Sequence, residues 1–134
     1  MIQIATNKEQ SARLVVCGVN EATADMVDTI WENDGEKLTQ LSIMSESAYE
    51  MSCLNPIPAW SLSALLSLLP KDLMWQGLYY RLVMGPNGNE WEIEYNDLSV
   101  TNNLHMVIAD TPIEACVQMI EWLTANNHKL NNND

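Results

Sequence analysis

Glu90-Trp91-Glu92-Ile93-Glu94-Tyr95 alternates acidic and large apolar residues without a break. Successive side chains of a strand point to opposite faces, so Trp91, Ile93 and Tyr95 share one face and the three glutamates the other. That pattern predicts an antiparallel strand with one face on a core and one in water. The preceding Gly85-Pro86-Asn87-Gly88-Asn89 is dense in turn formers. Residues 78–84 and 90–95 are therefore expected to form a hairpin.

A second hairpin is predicted earlier in the chain. Residues 26–32 and 36–44 flank Asn33-Asp34-Gly35, and Asp-Gly suits a tight turn whose central residues need φ > 0. Three helices are expected around these strands. Residues 8–17 follow Thr6 or Asn7 as a cap and end at Gly18, which fits a left-handed C′ position. Residues 59–69 place Leu62, Leu65, Leu66 and Leu69 on one stripe, closed by Pro70. Thr111-Pro112-Ile113-Glu114 combines a capping box with proline at the first helical position, opening a helix that runs to about Asn126. A short turn over residues 20–25, a possible short helix over 45–54, a rigid connector Asn55-Pro56-Ile57-Pro58 and a strand over 105–109 complete the reading. The expected fold is α+β: two antiparallel hairpins forming a mainly antiparallel sheet, packed by about three helices. Residues 1–128 read as a single domain and 129–134 as a disordered tail.

The last helix is apolar over most of its circumference. Ile113, Cys116, Val117, Ile120 and Leu123 make one stripe, widened by Ala115, Met119 and Trp122. Only Glu114, Gln118 and Glu121 form a polar strip. Such a helix must be covered on more than one side, by its own domain or by a second copy. The chain has no Phe, so large core volumes must come from Trp, Leu, Ile and Met; Trp60, Trp75, Trp91 and Trp122 are expected in or around the core.

Eighteen acids against six bases give a net charge of −12. From Leu82 to His128 there are seven acids (Glu90, Glu92, Glu94, Asp97, Asp110, Glu114 and Glu121) and no Lys or Arg. Direct nucleic-acid binding by this region lacks its basic footprint, and an anionic membrane would repel it. Three cysteines without a C-x-x-C pair read as buried thiols in a reducing compartment. No apolar run is long enough to span a bilayer, so the cytoplasm is the expected location.

Searches for chemistry yield no catalytic, cofactor or metal assignment. His105 and His128 fall in a strand and at a helix end, with no metal-binding spacing. Ser61, Ser63 and Ser67 need no reason beyond a helix's polar face. Neither a P-loop nor a G-x-G-x-x-G pattern occurs. Glu90, Glu92 and Glu94 sit about 6–7 Å apart in succession on one strand face. With Asp97 they form an acidic face whose simplest role is solubility and whose functional role would be to receive a basic partner.

Thr6-Asn7-Lys8-Glu9-Gln10-Ser11, Thr23-Ala24-Asp25-Met26, Ile57-Pro58-Ala59-Trp60-Ser61-Leu62, Leu68-Leu69-Pro70 and Glu121-Trp122-Leu123 together resemble small uncharacterised proteins of Bacteroides-type gut bacteria, found in prophage or mobile-element surroundings. The resemblance implies a phage-related context but neither an activity nor catalytic residues. The leading expectation is a non-enzymatic accessory protein that binds another protein or forms a homo-oligomer. The alternative is an acidic nucleic-acid mimic that occupies a basic groove. A third is a small enzyme whose site, involving His105 or a perturbed carboxylate, only folding assembles.

Overall fold

The computed structural model describes residues 3–33, 36–43, 56–97 and 102–134. Among these, three α-helices and seven strands make an α+β fold. In chain order they are α1 (Lys8–Val16), β1 (Met26–Asn33), β2 (Glu36–Ile43), β3 (Ile57–Ala59), α2 (Leu62–Leu68), β4 (Asp72–Trp75), β5 (Leu78–Asn87), β6 (Glu90–Asn96), β7 (Asn103–Ala109) and α3 (Pro112–Ala125). All pairing is antiparallel, and the strands divide into two sheets rather than one: β2-β1-β3 and β4-β5-β6-β7.

Both expected hairpins form. In the second, Asn87 pairs with Glu90 across Gly88-Asn89, with Gly88 at φ 62°. The first pairs Asn33 with Glu36; its Asp34-Gly35 turn and the possible helix at 45–54 lie outside the described residues. Val27 and Thr29 turn inward, whereas Leu41 and Ile43 pair with Asp28 and Met26 on the exposed face.

Two strands depart from the sequence reading. The expected rigid connector includes β3, which pairs with β1. Pro58 lacks an amide proton, and an edge position is where a strand tolerates that loss. β4 joins β5 through Gln76-Gly77, both at positive φ (51° and 80°). Such a turn usually carries Asn or Asp where Gln76 stands, so the pattern gave no warning.

The helices begin and end where their caps dictate. Asn7 and Gln10 form a full capping box on α1. Its end is a Schellman motif: Gly18 at φ 91° donates to the Val15 carbonyl and Val19 to the Leu14 carbonyl. Helix α2 starts at Leu62, not at residue 59, because Ser61 caps it. In α3 only half of the expected box forms: Thr111 accepts from the Glu114 amide, while the Glu114 carboxylate is engaged elsewhere. Residues 129–134 lie against the rest of the fold. Leu130 is buried, the Asn131 amide donates to the Leu68 carbonyl at 2.8 Å, and Asn133 Nδ2 donates to the Gly18 carbonyl at 3.1 Å. Leu130 is the apolar anchor within that polar segment.

One core cluster lies between the inner face of β4–β7 and the helices. It contains Ile93 and Tyr95 from β6, Leu65 and Leu68 from α2, Leu14 from α1, and Ile113, Cys116, Met119, Ile120 and Leu123 from α3. The apolar surface of α3 is thus covered by its own chain. Trp60, fully buried, fastens the N-terminal segment to this core. Its amide donates to Thr6 Oγ1 at 3.0 Å, its indole Nε1 donates to Thr23 Oγ1 at 2.9 Å, and its carbonyl accepts from the Thr6 amide at 2.9 Å. Of the other three core candidates, Trp91 and Trp122 are half-buried and Trp75 is exposed.

Trp60→Ala removes a fully buried ring and leaves the Thr23 hydroxyl without its donor. Denaturant unfolding is expected to show a loss of about 3–5 kcal/mol.

Candidate interaction surface

The strand β6 presents its two faces as the alternation demands. Ile93 and Tyr95 are buried on the inner face. The Tyr95 hydroxyl donates to the Pro70 carbonyl at 2.7 Å. Burial, reinforced by Cys116, raises the pKa of that phenol. On the outer face Glu90 is exposed and Glu92 and Glu94 are half-buried. Asn87 Nδ2 donates to Glu92 at 3.4 Å, and Asn96 Nδ2 to Glu94 at 3.1 Å.

Cross-strand register supplies the neighbours of these glutamates. Glu94 lies between Val83 on β5 and Met106 on β7; Glu92 lies between Gly85 and Ile108. Val83, Met106 and Ile108 are 48 %, 40 % and 41 % exposed, respectively. The outer face is therefore a carboxylate row flanked by accessible apolar side chains, a combination invisible until the strands are in register. Asp97 does not extend the row: β6 ends at Asn96, and Asp97 lies in the following loop, where its amide donates to the Asn102 carbonyl. The nearest base on the sheet is Arg81, 3.7 Å from Asp72 across the β4–β5 pair.

The other acids of the base-free stretch have a different fate. Glu114 and Glu121, on the polar strip of α3, meet Arg13 of α1. Arg13 Nη1 and Nη2 donate to the two Glu114 oxygens at 2.8 and 3.0 Å, and the same guanidinium donates to both oxygens of Glu121. Gln10 and Gln118 also donate to Glu114, at 2.9 and 2.7 Å. Hydrogen bonds to Glu121 and then Glu114 raise the Arg13 pKa, so the cation is permanent. Burial pushes the Glu114 carboxyl up, but the bonds from Arg13, Gln10 and Gln118 outweigh it and hold the group below its ordinary value. One base from the start of the chain thus serves two acids near its end.

Both histidines are drawn to Trp122. The His105 ring stacks on the indole at 4.5 Å and 3°, and the His128 ring at 5.3 Å and 24°, with Trp75 edge-on to His128 at 5.2 Å. Burial lowers the pKa of His105. His128, placed by the sequence at a helix end, packs against Trp122 and Trp75. Among the described residues no group of three or more His, Cys, Asp or Glu side chains is placed to hold a metal. An apolar groove of about 370 Å³ lies between α1 and β3, lined by Val15, Val16, Ile57 and Pro58. It is lined by neither the acidic row nor the histidines. Among the described residues no helix is long and apolar enough to cross a membrane. No known protein family, curated protein or solved structure matches the chain.

Two measurements test this account. Because the Glu114 carboxyl is held below its unfolded value, the unfolded state binds more protons in acid, and stability rises with pH there. Its contribution is complete above about pH 4.3 and is lost as pH falls through the lower folded value. Arg13→Gln removes the largest of the influences that hold the group down. The stability-versus-pH slope below about pH 4.3 should flatten, as read from urea midpoints. Secondly, burial pushes the Cys116 thiol up to about 12, while Cys17 is only half-buried. Alkylation of the native protein followed by peptide mass spectrometry should label Cys17 readily and Cys116 only after unfolding.

Proposed function

We propose that this chain is a non-enzymatic accessory protein that binds a basic protein partner through the outer face of β4–β7. The observation that carries this reading is the carboxylate row Glu90, Glu92 and Glu94, with Val83, Met106 and Ile108 exposed beside it. Interfaces gain affinity from desolvated apolar contacts and gain orientation and encounter rate from complementary charge. This face offers both, and it belongs to a molecule of net charge −12, which steers a basic surface toward it. Glu114 and Glu121 are already engaged by Arg13, which leaves the glutamates of β6 as the carboxylate row of the stretch without Lys or Arg. A phage-related setting, the context implied by the sequence resemblance, is part of the proposal, and so is a cytoplasmic location.

A nucleic-acid mimic is the second reading. It would use the same row, but it needs carboxylates over a continuous face, and here apolar positions interrupt them on both sides.

The test uses the wild-type protein and Glu92→Lys/Glu94→Lys as paired baits in lysate of the native host. The proposal expects a stoichiometric basic protein on the wild type that is lost from the variant, with circular dichroism and melting temperature of the bait unchanged. A retained DNA-binding enzyme released by competing DNA moves the reading to mimicry. Equal capture by both baits, or a bound metabolite with no protein, overturns the proposal.

A further inference from the structure

The four-stranded sheet has two edges, and they are built differently. β4 is four residues long, follows Lys71, and carries Asp72 paired with Arg81. Short length and charge are the usual means of keeping an edge from pairing with another chain. β7 has none of them. Asn103-Leu104-His105-Met106-Val107-Ile108-Ala109 contains no Lys, Arg, Asp, Glu or Pro. Its one irregularity sits at the end opposite Tyr95 and Asn96, so His105–Ala109 is a regular edge. In the β6 register Val107 and Ala109 face the core, while Met106 and Ile108 are exposed on the outer face.

The geometry points to a second copy of this chain as the occupant of that edge. Two β7 strands, antiparallel about a two-fold axis at Val107, would continue the sheet from four strands to eight. Met106 then lies opposite Ile108 of the other copy, and Ile108 opposite its Met106. Both pairs are apolar, and the symmetry makes the contact twice. Charge selects this place on a chain of net charge −12. The strand carries no carboxylate, and the glutamate rows of the two copies stand three strand spacings apart, about 14 Å. That exceeds the screening length of roughly 8 Å at physiological salt. A homo-oligomer through α3, expected from that helix's apolar surface, loses its warrant because the chain covers the helix itself. The edge supplies the warrant instead, through Met106 and Ile108, which also flank the acidic row. A contact of one strand pair is small, so the dimer is weak and concentration-dependent.

Sedimentation velocity over a concentration series reads the association. Wild type is expected to pass from monomer to dimer. Met106→Lys, present twice in the dimer, should raise the dissociation constant by about tenfold, and Met74→Lys, exposed on the opposite edge strand, should leave it unchanged. Register is read by disulfide trapping in a Cys17→Ser/Cys53→Ser background. A mixture of Met106→Cys and Ile108→Cys should cross-link faster than either variant alone, since 106 opposes 108. A wild type that stays monomeric to its solubility limit overturns the inference. So does a dimer that tolerates Met106→Lys with its fold intact, or equal cross-linking by the mixture and the single variants.

Discussion

Helix α3 is apolar on all but one strip, and α1, α2, β6 and β7 are arranged to cover it. Ile113, Ala115, Cys116, Val117, Met119, Ile120 and Leu123 are all buried. Strands β6 and β7 cover one side, α1 and α2 the others. Leaving such a surface in water would cost about 25 cal/mol for each Å² of apolar area. The helix therefore selects which elements must meet, and the remaining polar strip selects how. Arg13 bridges Glu114 and Glu121 on that strip and fixes α1 against α3 in one orientation.

This arrangement sorts the acids of a chain with no base between Leu82 and His128. Those on α3 are drawn to Arg13. Those on β6 remain on the outer face, because alternation sends Ile93 and Tyr95 to the core and leaves Glu90, Glu92 and Glu94 opposite. The charge that looks uniform in the sequence is divided in the fold into a structural part and an available part. The available part sits beside exposed Val83, Met106 and Ile108. The acidic face and its apolar flanks are consequences of the same strand pattern that builds the core.

Much of the fold was legible because its signals are local. The β6 alternation, the Gly18 stop, the Thr111-Pro112 start and the turn at Gly88 each depend on a few neighbouring residues. Signals that span the chain were not legible. Nothing near Arg13 indicates that it meets residues a hundred positions later. Nothing near His105 or His128 indicates that both stack on Trp122. Nothing near Leu130 indicates that it joins the core, beside Asn131 and Asn133, which bond to Leu68 and Gly18. β3 was hidden by its proline, and β4 by a turn made with glutamine. The acidic row was visible in sequence, but its apolar flanks come from β5 and β7 and required the register. Pro58-Ala59-Trp60-Ser61-Leu62 forms the junction between β3 and α2, where Trp60 and Ser61 secure the N-terminal segment and the helix cap.

Helix α3 is covered within one chain, and the outer face and the β7 edge of the sheet are the surfaces proposed to receive other molecules. Native-state hydrogen exchange at several protein concentrations tests it most directly. Amides that open only with global unfolding exchange slowest. The account predicts that the amides of residues 116–123 are among the slowest and that their protection does not change with concentration, while the edge amides of β7 gain protection as concentration rises. Protection of α3 that appears only at high concentration would contradict it, because a second copy would then be covering the helix.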